Sequence, residues 1–435
     1  MKIYIDTLGC PKNFYDSKNA AGILQDSGHT LVSDPSEADA IIVNTCGFIN
    51  DAKKESIDRI FEMAKYKQYN KKLIVSGCLS QRYSRELFDE MPEVDAFLGV
   101  NDYEALPSLL DGLDERQVIV NPCTETELPK TKARPDGNMY SATLKIAEGC
   151  NNRCAYCIIP FIRGNYRSKR MKRIVEEAKM LVNAGCKELI LIAQDTTYYG
   201  YDLYGKYMLP QLLRQLCKIE GIRWIRLMYC YEDRITDELI ETIREEEKIC
   251  NYLDIPIQHA SDNILKAMKR RSTNKSITDK LAKLKEQIPD IHIRTTLITG
   301  FPGETEEDFD ALYDFVAKQK FARLGVFAYS QEEGTVAGKM PNQIEETIKE
   351  ERADSIMRLQ MEISLEANRA KIDTVQEVIV DEIDDDGSYI GRTRFDAPEI
   401  DNAVIFTGKN KHKPGDIVMV HIDDAFDYDL TGTEV

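Results

Sequence analysis

A chain of 435 residues, 43% hydrophobic and 30% charged, is too long for one ordinary core and is expected to divide into two or three domains. No apolar run reaches the length of a membrane span, and Met1-Lys2-Ile3-Tyr4-Ile5 opens a strand rather than a signal peptide, so a cytoplasmic protein with no membrane partner is expected. The net charge of −17 argues against nonspecific binding to a phosphate backbone, and the eleven cysteines cluster in a way that suits metal ligation better than disulfides.

Residues 1–113 alternate short apolar strands with helices. Lys2–Thr7, Ala40–Asn44 and Lys72–Ser76 read as strands, each followed by a helix (Tyr15–Ser27, Asp51–Lys67, Gln81–Met91), and Ala96–Val100 as a fourth strand. The pattern predicts a doubly wound, open parallel sheet. Cys10, Cys46 and Cys78 each stand just past the carboxyl end of a strand, the edge where such sheets form their ligand crevice. Gly9, Gly47 and Gly77 adjoin them and allow close backbone approach. Three thiols in successive units suit a three-cysteine iron–sulfur site, with redox or structural thiols as the alternative. Residues 114–140, with Pro122, Pro129 and Pro135, read as a linker in which Cys123 has no partner pattern.

Alternation resumes over residues 141–371. Thr143–Ala147, Glu188–Ala193, Trp224–Tyr229, Tyr252–Pro256, His292–Ile298 and Leu324–Tyr329 are strand candidates, separated by helices such as Ile174–Asn183 and Glu306–Lys318. They predict a partly open, parallel (β/α)6 barrel whose functional face lies at the strand carboxyl ends. That face carries Cys150, Cys154 and Cys157 in a CxxxCxxC spacing, then Gln194-Asp195, Gln258-His259 and Gly300-Phe301-Pro302-Gly303-Glu304. Three thiolates leave one iron of a four-iron cube open, whereas zinc usually takes two Cys pairs or a Cys/His set, and neither lies nearby. Asn151, Asn152 and Arg153 make the segment a polar loop, which argues against an inert buried trio. Arg163, Arg167, Lys169 and Arg170 form a basic run that either steers a carboxylate or is solvated. Cys186, Cys217, Cys230 and Cys250 suit packing, and His259 a contact at the barrel rim.

Glu345–Ile372 reads as a long helix leading away from the barrel, and five short strands over residues 372–435 as a small antiparallel barrel. That last segment holds sixteen Asp/Glu against five Lys/Arg, a balance of −11.

The cysteine spacing, with Tyr156 just before the last thiol, resembles the radical S-adenosylmethionine enzymes. Ile158-Ile159-Pro160 and Arg163-Gly164-Asn165-Tyr166-Arg167-Ser168 are similar to their methylthiotransferase branch. LGCPKNFYDS (Leu8–Ser17), NTCGFINDAKKESID (Asn44–Asp58) and GCLSQRY (Gly77–Tyr83) resemble the amino-terminal domain of that branch, and the last segment its TRAM domain. GRTRFDAPEID (Gly391–Asp401) is most like the RimO family, which modifies bacterial ribosomal protein S-twelve. The resemblance spans essentially the whole chain, although the family usually has a proline near Glu232.

The resemblance implies two [4Fe-4S] clusters, one on Cys150, Cys154 and Cys157 and one on Cys10, Cys46 and Cys78. It implies S-adenosylmethionine as co-substrate beside Tyr156, Gln194, Asp195, Gly300, Gly303 and Glu304, with no catalytic side chain assigned. The reaction it implies adds a methylthio group to the β-carbon of an aspartate in ribosomal protein S-twelve, free or in the small subunit. The electron donor and the sulfur source stay unidentified. The alternatives are a transfer RNA methylthiotransferase with the same chemistry and an RNA-binding adaptor with structural metal sites.

Overall fold

The computed structural model describes residues 1–67, 71–124, 128, 131–132 and 140–435; much of the expected linker, Pro129 and Pro135 included, lies outside the described residues. The first sheet is parallel, with six strands rather than four, in the order Thr30–Leu31, Lys2–Thr7, Ala40–Thr45, Lys72–Gly77, Ala96–Leu98, Gln117–Ile119. Ala40–Thr45 is buried along its whole length, with an apolar cluster on each face of the sheet, which is why it reads as an unbroken apolar run. The two added strands sit at the edges and are too short to show a period. Gln117–Ile119 falls in the stretch expected to be linker. The strand order reverses between Lys2–Thr7 and Ala40–Thr45, so Cys10 and Cys46 flank the switch point of the sheet.

The central sheet also has six parallel strands, here in sequential order: Ser141–Lys145, Glu188–Ile192, Trp224–Leu227, Ile249–Asp254, His292–Thr299 and Arg323–Ala328. The first and last strands do not pair, which leaves the barrel open on one side. The long helix Glu346–Arg369 does not lead away from it. Ile356 and Ile363 join the barrel core, and Gln360 Nε2 donates to the Phe321 carbonyl at 2.9 Å. Its apolar stripe therefore covers the edge of the barrel beside the last strand.

The carboxyl-terminal domain is a closed five-stranded barrel. One of its pairings, Val404–Thr407 with Leu430–Glu434, is parallel, so the antiparallel expectation holds for the other four. The Gly391–Asp401 stretch is its joint with the central barrel. Arg392 pairs with Glu188 at 2.5 Å, Asp396 with Arg323 at 2.5 Å, and Asp401 accepts from the Tyr252 hydroxyl at 2.7 Å. Phe395 stacks on His292 with ring centres 4.2 Å apart. Two acids of the segment are thus consumed internally, while Glu382 and Asp384–Asp386 remain exposed.

Glu188 holds both Arg226 and Arg392 at a site where none of its side chain is exposed. Burial alone would raise its carboxyl, but Arg392 and Arg226 bring it down to about 2 from the ordinary 4.5. A depressed carboxylate stabilises the fold above its unfolded pKa, so this contribution is complete above pH 4.5 and is lost as pH falls towards 2. Glu188→Ala leaves the buried Arg226 guanidinium without a carboxylate and Arg392 with Asp381 alone, and is expected to cost about 3–5 kcal/mol, read as a lower denaturant midpoint.

Candidate functional site

The three cysteines of the first domain meet at one edge of its sheet. Cys10 precedes the helix Pro11–Asp26, whose proline at the first turn has no N–H to satisfy, and Cys78 opens the helix Cys78–Glu90 directly from its strand. Burial, then the neighbouring Cys78 thiol, push the Cys46 thiol up to about 12, with Cys10 adding to the effect. The three loops are tied by Asn13, which is fully buried. Its Nδ2 donates to the Leu8 carbonyl at 3.0 Å and the Thr45 carbonyl at 2.9 Å, and the Cys78 thiol donates to its Oδ1 at 3.7 Å. Gly9 adopts φ +91°, and a Cβ there would lie 2.8 Å from the Cys46 Cβ. The cradle requires glycine at that position.

The second set lies in the loop between Ala147–Glu148 and Arg167–Ser168, two short strands that pair antiparallel and close its base. Gly149 permits this crossing: at φ +78°, a Cβ would fall 2.1 Å from the Asn165 carbonyl oxygen. Cys150 N–H donates to the Gly164 carbonyl at 3.1 Å and Cys157 N–H to the Cys154 carbonyl at 3.1 Å, so the backbone of the loop is fixed without its thiols. Burial pushes the Cys150 thiol up to about 11, and burial with Cys154 raises Cys157 further. A metal centre on either set must displace these protons.

A buried polar junction links the segments that carry the two sets. Arg163, read from the sequence as steering a carboxylate or solvated, does neither. It is 1% exposed, pairs with Asp16 at 2.8 Å and Glu148 at 3.1 Å, donates to Asn13 Oδ1 at 2.6 Å, and reaches the Cys78 sulfur at 3.4 Å. Lys145 bridges the same two carboxylates, at 2.5 Å from Glu148. Burial would raise the Glu148 carboxyl, but Arg163 and Lys145 hold it well below the usual range. Lys169 is buried too, paired with Glu177 at 3.0 Å and donating to the Tyr15 hydroxyl at 2.5 Å. Lys12 differs from these cations. It is 8% exposed, burial lowers it to about 8 with Cys10 opposing, and its charge is also felt at Cys157.

Around the barrel rim, Gln194 Nε2 donates to Glu148 at 2.8 Å while its buried Oε1 has no partner among the described residues. Tyr156 packs with Ala155, Met268 and Phe301. The Asp195 carboxylate accepts from Asn152 at 2.9 Å and Thr197 at 2.7 Å and pairs with Arg234, so it fixes the cluster loop from behind. Glu304 folds back onto the Gly300 N–H at 3.0 Å and pairs with Arg352 at 2.7 Å, which locks the turn that carries Gly300 and Gly303. Both carboxylates are committed to protein partners, so what they offer a ligand is the shape of their loops. His259 Nδ1 accepts from the Ser261 N–H at 3.0 Å inside the barrel rim. Where the family usually has proline, Glu232 is buried and pairs with Arg270 at 2.9 Å, which sets the path of that loop. Cys186, Cys217, Cys230 and Cys250 are buried in apolar clusters, and Cys123 packs beside Ile162, donating to its carbonyl at 3.2 Å. Asn13, Asp16 and Lys12 were not singled out from the sequence, although LGCPKNFYDS contains all three.

The donor sets fit iron–sulfur ligation. Each offers three thiols, a glycine-bounded cradle and, on the barrel side, an orphaned buried amide oxygen. The fold and this loop define a radical SAM protein: the model of the radical SAM superfamily matches residues 144–316, with the TRAM domain matching 372–435 and the family described as uncharacterized protein family UPF0004 matching 2–99. The radical S-adenosylmethionine methyltransferase TsrM from Kitasatospora setae, solved with cobalamin and a [4Fe-4S] cluster, shares the fold at TM-score 0.60 and 14% identity, over 78% of this chain and 77% of that one. Ribosomal protein uS12 methylthiotransferase RimO of Lachnoclostridium phytofermentans is 50% identical over 100% of both chains. Its counterpart from Clostridioides difficile is 49% identical over 99% of this chain and 98% of its own. The chain belongs to this family, the RimO methylthiotransferases.

Asn13→Ala removes the two hydrogen bonds its Nδ2 donates to the Leu8 and Thr45 carbonyls and the two its Oδ1 accepts from Cys78 and Arg163, each left-over buried partner costing about 1–3 kcal/mol. In the iron-free protein, Cys46 and Cys78 are expected to react with a thiol reagent roughly tenfold faster or more than in the wild type, as read by mass spectrometry. Equal labelling rates would mean that the loops hold their positions without Asn13.

Proposed function

We propose that the chain adds a methylthio group to the β-carbon of an aspartate in ribosomal protein uS12. The observation that carries this reading is one buried junction that links the segments of two three-cysteine sets, at the carboxyl edges of two parallel sheets. Cys150, Cys154 and Cys157 hold one [4Fe-4S] cluster and Cys10, Cys46 and Cys78 a second. When bound, the first supplies the electron that cleaves S-adenosylmethionine and the second holds the sulfur to be transferred. Gln194, through its free carbonyl oxygen, and the Gly300–Gly303 turn line the S-adenosylmethionine site, with Tyr156 beside it. Arg163, Glu148 and Asp16 keep the two cysteine loops in register and exclude water between them.

The exposed acids at Glu382 and Asp384–Asp386 favour a basic protein over a nucleic acid. They attract the protein at long range and repel a phosphate backbone. Transfer RNA is the rival substrate.

Reconstituted protein is expected to hold about eight irons per chain. Joint replacement of Cys150, Cys154 and Cys157 by alanine halves the iron and abolishes S-adenosylmethionine cleavage, whereas joint replacement of Cys10, Cys46 and Cys78 halves the iron, retains cleavage and yields no methylthiolated product. Deoxyadenosine from the first variant, or full product from the second, would overturn the respective assignment.

The substrate is decided by competition. With equal concentrations of uS12 and transfer RNA offered anaerobically, mass spectrometry is expected to find the methylthio group on the protein. Its appearance on the RNA alone would reject the substrate and leave the cluster assignments intact.

A further inference from the structure

A cavity of about 630 Å³ opens where all three domains meet. Gly9 and Phe14 of the first domain, Ile192 and Tyr229 of the central barrel, and Ala397 and Ile400 of the terminal barrel are among its walls. Gly9, the residue that precedes Cys10, is thus one of its walls. At its outer rim stand two large apolar side chains, Phe14 at 46% and Ile400 at 49% exposure. Next to Ile400, Glu399 holds φ 67°, a left-handed conformation that a non-glycine residue seldom adopts.

Lys12 is not itself a wall; it lies in sequence between the wall residues Pro11 and Phe14, and its Nζ stands 3.0 Å from the centre of the ring of Tyr229, which is a wall. Arg163, Lys145 and Lys169 each hold a carboxylate of the protein. Lys12 has no carboxylate within ion-pair distance and no hydrogen-bond partner among the described residues, although it is more than nine-tenths buried. A buried ammonium is costly without an anion, and an aromatic face supplies only part of what it has lost to burial.

We infer that this three-domain cavity is the entrance for the substrate loop, and that Lys12, held against its Tyr229 wall, binds the carboxylate of the aspartate to be modified. The inference rests on the proposed function and deepens it, since it says how an aspartate is chosen. The walls are largely apolar but include the carboxylates Asp381 and Glu399, so an aspartate side chain that enters loses hydration and needs a cation. Of the cations on the walls, Arg392 is held by Glu188 and Asp381 and Lys18 has interactions of its own, while Arg163 and Lys145 are neutralised by Asp16 and Glu148; Lys12 is the buried cation beside the cavity with no carboxylate partner among the described residues. An amide or a nucleobase lacks the charge to pair with it. Discrimination at this position is therefore electrostatic, and it acts before any chemistry.

The test uses the reconstituted enzyme, uS12, and uS12 with its modified aspartate replaced by asparagine. Wild-type enzyme is expected to bind the aspartate form about tenfold tighter or more, by fluorescence anisotropy under anaerobic conditions. Lys12→Met is expected to bind both forms equally, and Lys12→Arg to recover part of the preference. Full discrimination by Lys12→Met, or none by the wild type, overturns the role of Lys12. Because Lys12 adjoins Cys10, iron is measured in each variant, and the mouth is tested separately with Phe14→Asp and Ile400→Asp. These are expected to raise KM for uS12 at least about fivefold while kcat changes little, as loss of remote substrate binding requires. An unchanged KM in both overturns the entrance. A wild-type enzyme that modifies only transfer RNA fails the proposed function itself, a result distinct from either of these.

Discussion

Arg163 is the group on which the arrangement depends. Its guanidinium, buried at the junction, touches Asp16, Asn13 and Cys78 of the first domain and Glu148 of the second. A charge in that position is tolerable only when fully paired, because burial penalises it severely. The geometry that pairs it fixes how two separately folded sheets meet. The penalty makes the junction specific: a small displacement would leave several charged groups unpaired, and no alternative packing offers them the same partners. The segments that carry two thiol sets from distant parts of the chain are thereby joined without a disulfide among the described residues.

The terminal barrel is joined by the same kind of contact. Arg392, Asp396 and Asp401 meet Glu188, Arg323 and Tyr252 in a buried seam on the central sheet, and Phe395 adds a stacked ring. Closure of that barrel removes its free edges, so it can serve as a wall without offering a strand for aggregation. Its loop at Ala397–Ile400 then borders the cavity that Gly9, next to Cys10, also lines. One stretch of sequence thus both anchors the domain and shapes the approach to the site.

Much of the first domain and of the central barrel was legible because parallel strands buried on both faces read as apolar runs. Edge strands gave no such signal. Thr30–Leu31 and Gln117–Ile119 pair on one side only and are two and three residues long, too short for a period to show. The long helix Glu346–Arg369 was legible as a helix, but whether its stripe met the barrel or solvent was not, because a period shows a face and not its partner. Charged residues were the hardest to read. Arg163 and Lys169 in a basic run look the same whether solvated or buried, and their carboxylates lie far away in sequence, as Asp16 does from Arg163.

What the sequence determined by itself was the chemistry offered: two sets of three cysteines, each set at the end of a strand or strands, and a resemblance specific enough to propose their use. Those are local properties, set by spacing along a few residues and by the strand that delivers them. The tertiary structure alone decided which charges are spent on holding the domains together, that Asp195 and Glu304 brace loops, and that Lys12 is left with no carboxylate near two thiol sets. The reason is physical. A thiol's place at a strand end follows from local backbone geometry, whereas the state of a buried charge depends on every group around it, and those groups come from all three domains.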